Sequence, residues 1–134
     1  MSKGNKPGKI IIPHGVNVWH HELLTADALA GAGYTVEFLA TDAIQHAKSP
    51  DVLIDGERWE MKSPKTDKLS AIERNLKKAT KQSGNIIIDS HRMGKLRDTS
   101  IQKLLIQKYR QQKTIKKLFF VNRKRQVIDI STVV

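Results

Sequence analysis

The chain has 134 residues, 39% hydrophobic and 28% charged, a balance that predicts a globular domain rather than a disordered or fibrous chain. It contains no cysteine, which excludes a disulfide framework and any thiolate metal site. Its net charge of +11 favours a polyanion as partner, nucleic acid above all, over a membrane surface, because no basic helix carries a bulky aromatic face.

Residues 1–8 read as a flexible basic arm and 9–134 as a single domain. No apolar h-region follows the basic start, so no signal peptide is expected in this segment. No apolar run approaches the roughly 18 residues of a membrane span. "KIII" (9–12) predicts a short strand stopped by Pro13. Asn17 is the expected N-cap of a first helix, with Trp19, Leu23, Ala26 and Ala30 at helical spacing and Gly31 and Gly33 at its end. "TVEFLA" alternates as a strand does. "TDAIQHAKSP" predicts a loop or a short helical turn. "DVLID" and "RWEMKS" predict two strands joined at Asp55-Gly56, a tight-hairpin signal.

"KLSAIERNLKKATKQ" predicts a second helix, with Leu69, Ile72, Leu76 and Ala79 inward, Arg74, Lys77, Lys78 and Lys81 outward, and Gly84 at its close. "NIIID" is a continuous apolar run, the pattern of a central strand buried on both faces. "SHRMGKLRDT" reads as a polar loop. "SIQKLLIQKYRQQ" predicts a third helix with Ile101, Leu104, Leu105 and Tyr109 inward, and "KKLFFVNRKRQVIDIS" a hairpin turning near Asn122 to Arg125. The order is α-β-β-β-α-β followed by an α-β-β extension. The helical crossover between "RWEMKS" and "NIIID" makes those strands parallel and the sheet mixed.

The charge is divided along the chain. Residues 1–60 hold 5 Lys/Arg against 8 Asp/Glu, and residues 61–125 hold 19 against 4. The acidic residues concentrate around "PDVLIDGERWEMKSP". Strand alternation there puts Trp59, Met61 and, if the strand runs on, Ser63 on one face and Arg58, Glu60 and Lys62 on the other. A solvated Glu-Lys pair would give this pattern, and so would a pair of groups acting on a phosphate.

Glu22 on the first helix, Pro50-Asp51 at the second core strand and Glu60-Met61-Lys62 on the third resemble the PD-(D/E)xK nuclease superfamily, whose core is α-β-β-β-α-β. The likeness covers roughly residues 17–90 and implies a metal-dependent endonuclease. Its catalytic residues would be Glu22, Asp51, Glu60 and Lys62. Asp51, Glu60 and the Met61 carbonyl would hold Mg2+ or Mn2+, hard ions that take oxygen ligands. Such an ion polarises the phosphoryl oxygen and activates a bound water. Glu22 would act through water, and Lys62 would orient the nucleophile or stabilise developing charge. Asp55 shares the parity of Asp51 but sits in the tight turn and reads as structural. Ser63, Arg74, Lys77, Lys78, Lys81, Lys95 and Arg97 are the candidate nucleic-acid contacts, extended by Lys116, Lys117 and Arg123-Lys124-Arg125. Gln82 is either a polar helper at the catalytic edge or a solvated helix end. Trp19 and Trp59 read as core, which leaves no stacking platform for bases.

"HHELLTADALAGAGYTVEFLA", "PDVLIDGERWEMKSP" and "AIERNLKKATKQSGNIIID" together resemble the C-terminal tRNase toxin domains of contact-dependent growth inhibition proteins of the CdiA type. That resemblance implies a tRNase acting in the bacterial cytoplasm of a target cell, exported by a longer carrier and neutralised by a cognate, acidic immunity protein. Three alternatives remain at the level of sequence. One is a metal-independent RNase of the barnase or EndoU type, with His21 or His91 acting beside Lys62 and Ser63. The others are a DNA-cleaving nuclease of the same fold and a non-catalytic nucleic-acid-binding module.

Overall fold

The structure is a computed structural model that describes residues 6–40 and 52–134. The elements are β1 (Ile10–Ile11), α1 (His20–Gly31), β2 (Val36–Phe38), β3 (Val52–Ile54), β4 (Glu57–Lys62), α2 (Leu69–Thr80), β5 (Asn85–Asp89), α3 (Asp98–Gln111), β6 (Lys117–Val121) and β7 (Val127–Asp129). A 3-10 turn at Ile130–Thr132, not anticipated from the sequence, follows. The fold is mixed α/β. From α1 onward the succession is the expected α-β-β-β-α-β and then α-β-β, and the strands hydrogen-bond in chain order. Backbone contacts divide the chain into two compact units, residues 2–59 and 60–134. The segment expected as a loop or turn at 41–50 lies outside the described residues, as does Asp51.

In the first unit β1 runs parallel to β2, β2 antiparallel to β3, and β3 antiparallel to the first half of β4. Register places Phe38, Val52 and Trp59 on one face, with Val36 and Ile54 beside them, and all five are buried. The β3–β4 turn has Asp55 at φ 49° and Gly56 at φ 86°. Two successive positive φ values define the primed two-residue turn that matches strand twist, which is why Asp-Gly signalled it. Asp55 also joins the turn to β2: its Oδ1 accepts from Thr35 N–H at 3.0 Å. Gly8 N–H donates to Ala30 O at 2.7 Å, and a Cβ at Gly8 would collide with the Tyr34 carbonyl.

Helix α1 begins later than its sequence suggested. The N-cap is Trp19, not Asn17, with extended backbone at φ −70° and ψ 148°. Glu22, at the third helical position, accepts from Trp19 N–H at 2.9 Å and so satisfies an N–H that the helix start would leave open. Because Trp19 precedes the helix, its side chain leaves the apolar stripe. It is 63% exposed rather than core, with its ring stacked on His21 at 6.3 Å between centroids. Trp59 is core as expected, at 3% exposure.

In the second unit the rest of β4 runs parallel to β5, β5 parallel to β6, and β6 antiparallel to β7. Ile86 and Ile88 of β5, Leu118 and Phe120 of β6, Ile72, Leu76 and Ala79 of α2 and Ile101, Leu104 and Leu105 of α3 form one buried cluster. Burying each large aliphatic side chain contributes about 1.5–3 kcal/mol, more than the differences of at most about 0.7 kcal/mol per residue in helix propensity, which Lys and Arg already favour. Ile87 is buried on the opposite side of β5, so the strand is covered on both faces as its apolar run predicted. Leu69, expected inward, is partly exposed at the first turn of α2, and Ala71 is buried in its place. Helix α2 ends at Thr80, before Gly84. Met93 is fully buried within the segment read as a polar loop, under α3.

Candidate active site

The parallel register pairs Glu60 with Ile86 and Lys62 with Ile88, so both side chains leave β4 on the face that carries the α2–α3 core. Residues two apart on a strand are same-face neighbours, and Lys62 Nζ lies 3.2 Å from Glu60 Oε2. The pair is no solvated surface contact. The side chains are 3% exposed for Glu60 and 18% for Lys62, and a carboxylate so enclosed needs a partner. Gln82 is the second one. Helix α2 ends just before β5, whose start lies opposite Glu60, and with its side-chain amide turned so that nitrogen faces the carboxylate, Gln82 donates to both Glu60 oxygens, at 2.9 Å to Oε1. Gln82 remains exposed at the helix end, as one sequence reading had it, and its amide also reaches the candidate carboxylate, as the other did.

A second polar group gathers where β4, β5 and β6 end. Asp89, the last residue of β5, is fully buried. Arg125 grips it with two parallel hydrogen bonds, NH1 to Oδ1 and NH2 to Oδ2, each 2.9 Å. Oδ1 also accepts from the His91 backbone N–H at 2.9 Å, and His91 Nδ1 lies 2.9 Å from the same oxygen. Ser63, next to Lys62, has its Oγ 3.4 Å from His91 Nδ1. Asp98 ties the neighbouring loops together, accepting from Ser90 Oγ at 2.7 Å and from Arg123 N–H at 3.0 Å. The Arg123 guanidinium meets the Met93 carbonyl. Two of the three residues in the Arg123-Lys124-Arg125 turn thus bind protein groups instead of standing free for phosphate.

Glu22 lies in the first unit, at 3% exposure. Burial pushes its carboxyl above the usual carboxylate range, with the Trp19 N–H pulling the other way. Its Oε2 is buried with no hydrogen-bond partner among the described residues. Asp51, the other expected metal ligand, lies outside those residues. Among the described residues no three His, Asp or Glu side chains converge as a metal cage. Glu60 and the Met61 carbonyl are nonetheless hard oxygen donors on adjacent residues, the chemistry that Mg2+ or Mn2+ takes. Arg74, Lys77, Lys78 and Lys81 are exposed along α2, and Lys95 and Arg97 are exposed before α3.

Sequence reasoning missed Asp89 and the partner role of Arg125. A faint signal existed for Asp89, an acid closing an all-apolar central strand with a histidine two residues on. None existed for Arg125, 36 residues away. Its φ of 63° is a left-handed conformation seldom taken by a long side chain.

Fold and site together define a mixed α/β domain with charged groups collected on neighbouring parallel strands, where α/β proteins commonly bind ligands. The sequence assigns it further. The model of the contact-dependent growth inhibition CdiA C-terminal domain matches residues 48–127, and the chain belongs to that family. No curated protein matches it. Among solved structures it is similar to the CdiA-CT/CdiI toxin and immunity complex from Burkholderia pseudomallei, at 19% identity over 94% of this chain and 96% of that one, with a TM-score of 0.60. That likeness is one of fold.

Proposed function

We propose that the chain is the toxin domain of an interbacterial competition system, a metal-dependent nuclease of the PD-(D/E)xK type that hydrolyses tRNA. The observation that carries the reading is the buried Glu60 carboxylate held between Lys62 and Gln82 in a member of the CdiA C-terminal family. Asp51, Glu60 and the Met61 carbonyl would hold Mg2+ or Mn2+, which supplies Lewis-acid polarisation and an activated water when bound. Gln82 fixes the orientation of Glu60. Lys62 keeps its ammonium beside that carboxylate and would neutralise charge building on the phosphate. Glu22 would contribute a further carboxylate through water.

The second unit supports a nucleic-acid substrate. Its acids are mostly bound to protein donors: Glu60 to Lys62, Asp89 to Arg125, Asp98 to Ser90, Glu73 to Lys108 at 3.6 Å, and Asp129 to Ser131. The cations of α2 and of the loop before α3 remain exposed, a surface suited to phosphate contacts. The structural relative is a toxin in complex with its immunity protein. By analogy this domain would be neutralised by a cognate partner whose acidic surface complements these cations.

The test is cleavage of total tRNA and, separately, plasmid DNA, with Mg2+ and with EDTA, by wild type and by Glu60→Gln and Lys62→Ala. Cleavage of tRNA that disappears with EDTA and in both variants is expected. The contact between Ser63 and His91 favours one alternative, the metal-independent RNase, and cleavage that survives EDTA would select it. However, Ser63 and Asp89 face the same His91 nitrogen, so the three do not form a Ser-His-Asp relay, which needs one partner on each nitrogen.

A further inference from the structure

Asp89, His91 and Arg125 stand outside the reaction as set out above, yet they end one hydrogen bond from the residue that follows Lys62. Asp89 is wholly buried; its Oδ1 meets the His91 N–H, His91 Nδ1 and Arg125 NH1, and its Oδ2 meets Arg125 NH2. Arg125 supplies two of them from a left-handed backbone conformation in the β6–β7 turn. That turn is held shut by Asn122, whose amide donates to Gln126 Oε1 and accepts from Gln126 N–H, each at 2.9 Å. Strain in a turn persists where the surroundings fix it, and here they fix a guanidinium on a buried acid.

The carboxylate in turn decides the state of His91. An Asp89 held by arginine is ionised and can only accept, so His91 Nδ1 carries a proton directed at it. Ser63 Oγ, 3.4 Å from that same nitrogen, can then only receive a weak share of the Nδ1–H. The serine's own proton is left to donate elsewhere, and no described residue accepts it. Ser63 follows Lys62 where the parallel strands β4, β5 and β6 end, the edge at which α/β folds bind ligands, so that proton is offered at the rim of the site.

We infer that Arg125, Asp89 and His91 are positioning residues that fix the Ser63 hydroxyl as a hydrogen-bond donor to the scissile or a flanking phosphate. His91 acts through Nδ1, and its Nε2 takes no part in proton transfer. This rests on the nuclease reading and adds to it a phosphate contact with a chain of three residues behind it.

The experiment measures kcat and KM for tRNA cleavage, with melting temperature, for wild type, Glu60→Gln, Ser63→Ala, His91→Ala, His91→Asn and the Ser63→Ala/His91→Ala double variant. Asparagine places an amide N–H where Nδ1–H stands and has nothing at Nε2. The expected result is a loss of about 10- to 100-fold in kcat/KM for Ser63→Ala and for His91→Ala, the range for a hydrogen bond to a charged group. His91→Asn should recover most of that loss. In the Ser63→Ala background His91→Ala should add little, since both remove the same contact. Full additivity of the two losses would overturn the inference, and so would a His91→Asn variant as slow as His91→Ala but equally stable. A change confined to melting temperature would show a merely structural network. An inactive wild type would defeat the nuclease reading and this inference with it. An active wild type with an inactive Glu60→Gln and unaffected Ser63 and His91 variants would defeat the inference alone.

Discussion

Replacing Arg125 by alanine tests how much the β6–β7 turn depends on the buried acid beneath it. Asp89 has no exposure, and the variant would strip its charge of both guanidinium bonds while the two donors of His91 stay. Breaking a fully buried ion pair costs about 3–5 kcal/mol. The Arg125 side chain is 34% exposed, so water screens part of the attraction, and the remaining donors soften the loss. An expected cost of about 2–3 kcal/mol follows. Alanine keeps the Cβ and hence the strain of φ 63°. Glycine releases it, so Arg125→Gly should be less destabilising than Arg125→Ala by about 1 kcal/mol, although it loses the same ion pair. Lysine restores the charge without the two-pronged geometry and should fall between wild type and alanine. Urea unfolding followed by far-ultraviolet circular dichroism reads the series. With a slope of about 1–3 kcal/mol per molar, the alanine variant should shift its midpoint by roughly 1–2 M. A shift under about 0.3 M, or a glycine variant no more stable than the alanine one, would refute the account of a strained turn held by a buried pair.

Glu22→Gln should change the dependence of stability on pH. Burial raises the carboxyl pKa above its unfolded value, so the folded chain holds this proton more tightly. The stabilisation from the protonated form is full below the unfolded pKa and is lost as pH rises through the folded one. The glutamine variant should therefore melt higher than wild type at alkaline pH and no higher at acidic pH, and melting curves across pH decide it. Lys77→Ala and Lys81→Ala, made in an inert Glu60→Gln chain, should each reduce the slope of log affinity for tRNA against log salt by about 1, and unchanged slopes would place the phosphates elsewhere. Trp59→Ala should cost about 3–5 kcal/mol in urea unfolding, whereas Trp19→Ala, at an exposed cap, should stay within about 0.5 kcal/mol.

What could be read from the sequence follows from how far apart the interacting groups lie along it. Alternation located β3 and β4 and put Glu60 with Lys62, because a strand repeats every two residues and the pair is two apart. The stripe Ile72, Leu76 and Ala79 located the buried face of α2 in the same way. Trp19 went wrong at the edge of such a pattern. Extending the helical spacing one residue past the true start made an exposed side chain look like core, and the preference of Asn for caps drew the start toward Asn17. The informative residue was Glu22, which reaches back three positions to the Trp19 N–H.

Gln82 and Arg125 mark the other limit. Gln82 lies 22 residues beyond Glu60 and meets it only because α2 carries the chain back to begin a parallel strand opposite that carboxylate. Crossover topology was legible, but the length of the helix fixes which residue arrives there. Arg125 reaches Asp89 across α3 and β6, through a backbone angle that composition does not announce. A cluster of basic residues in a turn looks the same in sequence whether it faces phosphate or a buried acid. The distinction lies in Asp89, because an acid that closes a wholly buried strand must find a cation or a set of donors. The burial expected for "NIIID" therefore already required such a partner, although only the folded chain identifies Arg125 as the residue that supplies it.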